Sequence, residues 1–195
     1  MKVKLKNLCF VTSSRADFDL LFHTLERIEN SKIFNLQLIV TGSHLFKRHG
    51  ETINQIRDSG FNIDQIVKLK DESTTEGVIN NMSIALKSFS KAYSTLNPDM
   101  VVVLGDRFEI FSGVYAASIL NIPIAHLHGG ELTYGAIDDQ FRHAITKAAS
   151  LHFPVTPTYL KRIVQMGENP KYVFNEGALA YINSQLTESI AAYEY

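Results

Sequence analysis

The apolar positions of this chain fall into two kinds of segment. Short, nearly continuous apolar runs of strand length are separated by longer segments in which apolar residues recur every three or four positions. A continuous apolar run predicts a strand buried on both faces, and the longer spacing predicts an amphipathic helix. The predicted strands are Leu5–Thr12, Leu36–Val40, Gln65–Lys68, Met100–Leu104, Ile124–Leu127, His152–Val155 and Tyr172–Asn175.

Helices are predicted between these strands. Asn97-Pro98 ends a long one, because a proline disfavours helical backbone angles in the residue before it. The first predicted helix follows a turn over Ser13–Asp17 and runs to about Asn30. The others are predicted over Glu51–Ser59, Thr74–Leu96, Arg107–Leu120, Asp138–Ala149, Pro157–Met166 and Leu179–Tyr193. This alternation predicts an α/β fold, a doubly wound and mostly parallel sheet with right-handed crossovers. No long linker interrupts it, so we expect residues 1–195 to form a single domain.

Composition narrows the class of protein. Hydrophobic residues make up 45% of the 195 residues and charged ones 20%, as in an ordinary globular protein with a substantial core. The net charge of -1 gives no basic surface for nucleic acid, and no apolar run is long enough to span a membrane. The single cysteine, Cys9, lies in the first predicted strand, where a buried thiol is expected. We therefore expect a cytoplasmic protein that binds neither nucleic acid nor membrane.

The carboxyl ends of the two central strands are rich in ionisable side chains, and ligands of open α/β sheets bind outside such ends. Asp106 and Arg107 follow one strand, although Asp106 could instead cap the next helix while Arg107 points away. His126, His128 and Glu131 lie at the end of the other strand. Gly129-Gly130 lack side chains, so a ligand could approach their backbone. We expect this edge to be the functional edge.

Other strand ends carry weaker candidates. Arg15 follows the first strand at a helix N-terminus, which favours an anion, but a solvated surface arginine is an equal alternative. The neighbouring Ser13, Ser14 and Asp17 are typical of helix capping. His44 follows the second strand, where a turn residue is the simpler interpretation. Asp138 and Arg142 are four residues apart on one helix, as in an ordinary surface ion pair, while His143 projects about 100° around it.

Several enzyme classes lack their signatures. The chain has no G-x-G-x-x-G, no P-loop motif and no G-x-S-x-G elbow, which argues against an ordinary dinucleotide enzyme, a P-loop nucleotidase and a serine hydrolase. His126 and His128 with Asp106 or Glu131 could form a Zn²⁺ or Mn²⁺ site, and this alternative stays open. The spacings that make a metal site specific are absent, so we predict no metal and no organic cofactor.

Five segments carry a resemblance that covers nearly the whole chain: FVTSSRADFDLL, LQLIVTGSHL, PDMVVVLGDRFEIF, IPIAHLHGGELTYGAIDDQFRHAITKAASLHF and MGENPKYVFNEGAL. Together they resemble the N-terminal half of the UDP-N-acetylglucosamine 2-epimerase family, most closely its hydrolysing (NeuC-like) branch. The resemblance implies a Rossmann-like domain of a two-domain GT-B fold. It also implies conversion of UDP-GlcNAc and water to ManNAc and UDP through a glycal, in sialic-acid-type sugar biosynthesis. A nucleotide-sugar substrate and a homo-oligomer follow from the same likeness.

The resemblance also assigns roles to residues. Asp106 and Asp138 match catalytic carboxylates. Some members have Glu where this chain has His128, so we expect Glu131 to replace that carboxylate, with His128 as the second choice. The residues expected to contact the substrate are Arg15, His44, Arg107, Arg142 and His143.

The length of the chain departs from the family pattern. Family enzymes are about twice as long, so a complementary C-terminal domain that holds the nucleotide is expected to be absent, and the chain alone is expected to be inactive. A non-catalytic nucleotide-sugar-binding or interaction domain remains an alternative. So does a GT-B glycosyltransferase fragment, since a fold does not fix a function.

Overall fold

The computed structural model describes residues 5–179, and in this range six strands form one sheet. Their order is β3-β2-β1-β4-β5-β6, and every neighbouring pair is parallel. This is the strand order of a Rossmann domain, which confirms the predicted doubly wound α/β fold. The strands are β1 Lys6–Thr12, β2 Phe34–Val40, β3 Gln65–Ile66, β4 Met100–Leu104, β5 Ile124–Leu127 and β6 Leu151–Phe153.

Six α-helices connect and flank the strands within residues 5–179. They are α1 Arg15–Glu29, α2 Ile53–Asp58, α3 Thr75–Leu96, α4 Phe108–Ile119, α5 Asp138–Ala148 and α6 Pro157–Gln165. The long helix α3 carries the chain from the outer strand β3 back to the middle of the sheet, where β4 pairs with β1. The chain therefore turns towards opposite sides of the sheet after β1 and after β4.

Two apolar clusters hold the layers together, one on each face of the sheet. Phe18, Leu21 and Leu25 of α1 pack with one set of strand side chains. Phe89 and Tyr93 of α3 pack with the other set and with α4. Cys9 is fully buried in this second cluster, and burial raises the pKa of its thiol, which confirms the expected core thiol.

Two of the predicted strands differ clearly from the structure. β3 has only two residues, fewer than predicted. The strand predicted over Tyr172–Asn175 is wrong: Pro170–Tyr172 forms a 3₁₀ turn, and only Val173 makes a single bridge, to His152. The helix predicted over Leu179–Tyr193 lies, apart from Leu179, outside the described residues. Within residues 5–179, no helix has the length and apolar character needed to cross a membrane.

Candidate functional site

The site lies where the carboxyl ends of β1 and β4 meet. Ligands of doubly wound sheets bind at this point, because the connections leave it in opposite directions and a crevice opens between them. Gly105 follows β4 with a φ of 81°, a left-handed conformation that glycine adopts without strain. This turn carries the chain into Asp106 at the sheet edge. α4 begins only at Phe108, and no side chain caps it, so the alternative that Asp106 caps α4 is wrong.

Four predicted site residues form one connected network. Arg142, on α5, donates a hydrogen bond from Nη2 to Asp106, and its Nη1 lies 3.6 Å from Oε2 of Glu131. The other oxygen of Glu131 lies 3.1 Å from Nδ1 of His128. The surface ion pair suggested between Asp138 and Arg142 is therefore replaced by pairs that reach across from α5 to the ends of β4 and β5.

The environment of Asp106 favours acid–base chemistry. Burial raises the pKa of this carboxyl group, the Arg142 guanidinium opposes the rise, and the charges of Asp138 and Asp17 add to it. A carboxyl group whose pKa is moved towards neutrality exchanges a proton more readily at the pH of the cell. Such groups also cluster at functional sites.

His128 has an unusual backbone conformation for a residue with a side chain. Its φ is 62°, in the left-handed region, which costs backbone energy outside glycine and is enriched at functional sites. Its N–H donates a hydrogen bond of 3.0 Å to the carbonyl of Phe153, so β6 helps to hold it there. In the described part of the chain, its buried Nε2 atom has no hydrogen-bond partner.

The two glycines after His128 were expected to leave space for a ligand, but they do not. A Cβ atom on Gly129 would lie 3.0 Å from Nδ1 of His126, and one on Gly130 would lie 2.6 Å from the carbonyl oxygen of Tyr159. Protein atoms therefore occupy the space. These glycines are needed because the loop packs tightly on β5 and α6.

His126 is not available for the metal site considered above. Its ring is fully buried, with Nε2 donating to the Gly105 carbonyl at 2.8 Å and Nδ1 3.1 Å from the hydroxyl of Thr146. Burial lowers the pKa of His126 to about 3, so the ring is neutral. Across residues 5–179, no group of three or more His, Cys, Asp or Glu side chains is arranged to hold a metal ion.

Three other predicted residues have no recorded contact with this network among residues 5–179. Arg15 is exposed at the first position of α1, 3.9 Å from Asp19. Asp138 begins α5, and His143 lies 3.6 Å from Asp139 rather than in the Arg142 network. The contacts that Arg15, Asp138 and His143 would make with a substrate stay predictions.

His44 lies beneath the edge rather than on it. The ring is fully buried, with Nε2 3.0 Å from the Thr12 hydroxyl and Nδ1 2.7 Å from the Thr52 hydroxyl. Burial lowers the pKa of His44 to about 4, so the ring is neutral. In this arrangement His44 supports the end of β1, and its predicted contact with substrate would require both hydrogen bonds to open.

Sequence reasoning missed two acidic residues at this edge. Glu109 is fully buried and accepts a hydrogen bond of 2.6 Å from Nε of Arg107. Asp17 accepts hydrogen bonds from the N–H and hydroxyl of Ser13, while Ser14 caps α1 as predicted. The charge of Asp17 acts on both Asp106 and Arg107. Their acidic character next to strand ends was the available signal, but both also suit the first turn of a helix.

A doubly wound parallel sheet with this strand order belongs to the class of Rossmann-like domains. Comparison with known proteins then identifies the family. The family model described as UDP-N-acetylglucosamine 2-epimerase matches residues 26–195. The chain therefore belongs to the UDP-N-acetylglucosamine 2-epimerase family, which confirms the resemblance read from its motifs.

Two curated relatives show how much of the family protein this chain represents. It is 40% identical over 181 residues to polysialic acid biosynthesis protein P7 of Escherichia coli, covering 92% of this chain and 46% of that protein. It is 42% identical over 175 residues to GDP/UDP-N,N'-diacetylbacillosamine 2-epimerase (hydrolyzing) of Campylobacter jejuni, covering 90% of this chain and 46% of that enzyme. The chain thus spans about half the length of these curated relatives.

Solved structures support the same fold. UDP-GlcNAc 2-epimerase from Neisseria meningitidis bound to UDP-GlcNAc matches with a TM-score of 0.78 and 16% identity, over 96% of this chain and 52% of that one. The Methanocaldococcus jannaschii enzyme, in complex with UDP-GlcNAc and UDP, matches with a TM-score of 0.78 and 20% identity, over 96% and 52%. At these identities the likeness shows the fold of one Rossmann-like half.

Proposed function

We propose that this chain is the catalytic half of a hydrolysing UDP-N-acetylglucosamine 2-epimerase, which converts UDP-GlcNAc and water to ManNAc and UDP. The observation that carries the proposal is the network of Asp106, Arg142, Glu131 and His128 at the switch point. Its support is that acids and a cation meet where a ligand of this fold would bind. Membership of the family supplies the reaction class.

The reaction explains why such groups have to be close together. The proton on C2 of the sugar is not adjacent to a carbonyl, so its direct removal is slow. Elimination avoids this: a base takes the C2 proton while the C1–O bond breaks, and the nucleoside diphosphate leaves with the electron pair. Water then adds to the glycal, its oxygen to C1 and a proton to C2 from the face that gives the epimer. Both steps need positioned acid–base groups and cations near the leaving diphosphate.

The geometry suggests which residue does what. We assign the acid–base steps to Asp106, Asp138 and Glu131, with His128 as the alternative to Glu131. Arg142 holds Asp106 and Glu131 at fixed positions, which prepares them for the substrate without further rearrangement. Arg15 and Arg107 are the cations that we assign to the diphosphate, and His44 and His143 complete the proposed substrate-binding set.

The wider setting is also part of the proposal. A cleft with one wall orients substrate poorly and does not exclude water, so we propose that turnover needs a complementary C-terminal domain. We place the activity in the cytoplasm, in sialic-acid-type sugar biosynthesis, and expect the protein to form a homo-oligomer. The name of one relative, polysialic acid biosynthesis protein P7, supports the choice of pathway.

The experiment that tests the function follows UDP and free ManNAc in mixtures of UDP-GlcNAc with this chain, alone and combined with the C-terminal half of a family relative. We expect both products only from the combined halves. Robust turnover by this chain alone would contradict the need for closure, and a transferred sugar in place of free ManNAc would indicate a glycosyltransferase. Calorimetric titration with UDP-GlcNAc, GDP-GlcNAc and UDP identifies the base that is recognised. Binding without turnover by the combined halves would leave the non-catalytic alternative.

A further inference from the structure

The residues Arg107 and Glu109 form a pair whose two members differ sharply in exposure. The Arg107 side chain is 43% exposed, whereas the Glu109 side chain is 0% exposed. The hydrogen bond between them, from Nε to Oε1, is 2.6 Å long. For the part of the chain that the structure describes, this is the one hydrogen bond recorded for the Arg107 guanidinium. One edge of the guanidinium is thus fixed from inside the protein, and the rest faces the sheet edge.

A buried glutamate is an expensive residue at this position. Taking a carboxylate out of water costs several kcal/mol, in order of magnitude, unless it is paired. Apart from Ser112, the other buried residues of α4, such as Ile110 and Val114, carry no polar side chain. The second oxygen of Glu109 has no hydrogen-bond partner within residues 5–179, so the fold does not satisfy this group fully. Packing alone does not explain such a residue.

Three strand ends are arranged around the Glu109 carboxylate. A Cβ atom on Gly42, just after β2, would lie 2.5 Å from Oε1 of Glu109 and 2.7 Å from the carbonyl oxygen of Ser13, just after β1. Gly42 therefore leaves the space that the carboxylate occupies. Because the ends of β1, β2 and β4 all contribute, the carboxylate has a defined place at the switch point.

Arg107 pairs with Glu109 although other acids lie near it. Asp17 and Asp138 are both close enough for their charges to act on Arg107, and Asp106 is its neighbour in sequence. With Glu109 present, Arg107 bonds to Glu109, and Asp106 is left to Arg142. The two cations of the site are thus assigned to different carboxylates.

We infer that Glu109 is a positioning residue, whose buried carboxylate holds the Arg107 guanidinium in the orientation that binds the diphosphate of the nucleotide sugar. This inference rests on the proposed function, because that function makes the ligand a nucleoside diphosphate. Glu109 itself does not touch the ligand. It acts through Arg107 alone.

The sign of one mutational effect tests this role. Glu109→Gln removes a negative charge near the site, so by charge alone it would strengthen binding of an anion. A positioning role predicts the opposite, about fivefold weaker binding, because a neutral amide holds the guanidinium less firmly than a carboxylate does. The measurement is an NMR titration of this chain with inorganic pyrophosphate.

Three further variants complete the experiment. We expect Glu109→Asp, which keeps the charge but shortens the side chain, to weaken binding as well, and this variant decides the matter if Glu109→Gln does not fold. We expect Arg107→Met with Glu109→Gln to bind no more weakly than Arg107→Met alone, since two residues that act as a unit are not additive. Glu72→Gln is the matched control. Glu72 lines the same cavity of about 170 Å³ as Arg107 and Glu109, and its removal is expected to leave binding unchanged or slightly stronger.

The outcomes separate the inference from the proposed function. Equal or tighter binding by Glu109→Gln, or additive losses in the double variant, would overturn the inference alone. A wild-type chain that does not bind pyrophosphate at millimolar concentrations would overturn the inference, whereas combined halves that release no UDP from UDP-GlcNAc would overturn the proposed function. Weaker binding by Glu109→Gln and Glu109→Asp, with no further loss in the double variant, supports the positioning role.

Discussion

Two clusters that each contain a histidine, a glutamate and a basic side chain lie at opposite edges of the sheet. At the carboxyl edge, His128, Glu131 and Arg142 are joined to Asp106. The second cluster joins His152, Glu168 and Lys147. It lies at the amino edge, because Lys147 is in the last turn of α5, which leads directly into the start of β6.

The two clusters differ in the parts of the structure that they contact. In the second cluster, Lys147 also donates a hydrogen bond to the carbonyl of Met166, at the C-terminal end of α6, where a cation complements the helix dipole. The His152–Glu168–Lys147 cluster therefore caps the C-terminal end of α6. The carboxyl-edge network instead joins side chains that follow β4 and β5 to Arg142 of α5, beside the switch point. The two clusters are therefore distinguished by their position relative to the strand ends rather than by residue type: one is the proposed functional site, and the other stabilises the fold.

The largest effect that we predict from this comparison is on turnover. Asp106→Asn keeps the shape of the side chain and removes its acid–base function, so UDP release by the combined halves should fall by at least about a hundredfold, or roughly 3 kcal/mol. The measurement is the rate of UDP release at saturating UDP-GlcNAc. Glu168→Gln is the control from the amino edge and should leave that rate unchanged. Equal losses in the two variants would contradict the distinction between the edges.

The second effect is on the pH dependence of stability. Burial lowers the pKa of His126 to about 3 and that of His44 to about 4, below the usual value near 6.5. At a pH between the folded and the unfolded pKa of each histidine, the unfolded chain binds more protons than the folded chain does. Stability is therefore fully present above pH 6.5 and is lost as the pH falls. Each histidine should contribute a loss of about 2 kcal/mol by pH 5.

Urea unfolding at a series of pH values from 7.5 to 5 checks this prediction. His44→Asn should flatten the slope of unfolding free energy against pH by about 1.4 kcal/mol per pH unit. Burial also lowers the pKa of His152, but the charge of Glu168 opposes it, so His152→Asn should flatten the slope less. An unchanged slope in His44→Asn would show that this ring is not held neutral by burial.

The smallest effect that we predict is on the stability of the amino edge. Glu168→Ala removes the partner of Nε2 of His152, whose Nδ1 already lacks a partner in the described part of the chain. The free energy of unfolding should fall by about 1–2 kcal/mol, since an unsatisfied buried polar group costs that much. Urea unfolding at pH 7.5 measures it. Glu29→Ala, at an exposed position at the end of α1, is expected to change stability by less than about 0.5 kcal/mol.

Sequence reasoning predicted more of the fold than of the site. Apolar runs located β1, β2, β4 and β5 within a few residues, because strands buried on both faces leave that pattern. It failed where the pattern is short: Tyr172–Asn175 has strand-like residues, but the turn at Pro170 leaves only one bridge, at Val173. The order of the strands was not readable at all, since pairing between β1 and β4 joins segments about ninety residues apart.

Contacts between residues far apart in the chain also explain what sequence reasoning missed at the site. Asp106, Glu131 and Arg142 were singled out because each follows a strand or shares a helix face with an acid. Nothing in the sequence indicates that Arg142 reaches Asp106 instead of Asp138, four residues before it. Glu109 looks like an ordinary residue of a helix first turn. Its burial depends on Gly42 and Ser13, which other strands bring to it.

By itself, the sequence determined the alternation of strands and helices, the parallel sheet, the family, and the edge at which ionisable residues collect. Each of these depends on local periodicity or on a contiguous motif. The tertiary structure alone decided that β1 and β4 are neighbours, which acid pairs with each arginine, and that His44 and His126 are buried while His128 joins the network. Those outcomes depend on contacts between residues far apart in the chain, and burial and charge pairing exist only once the strands have assembled.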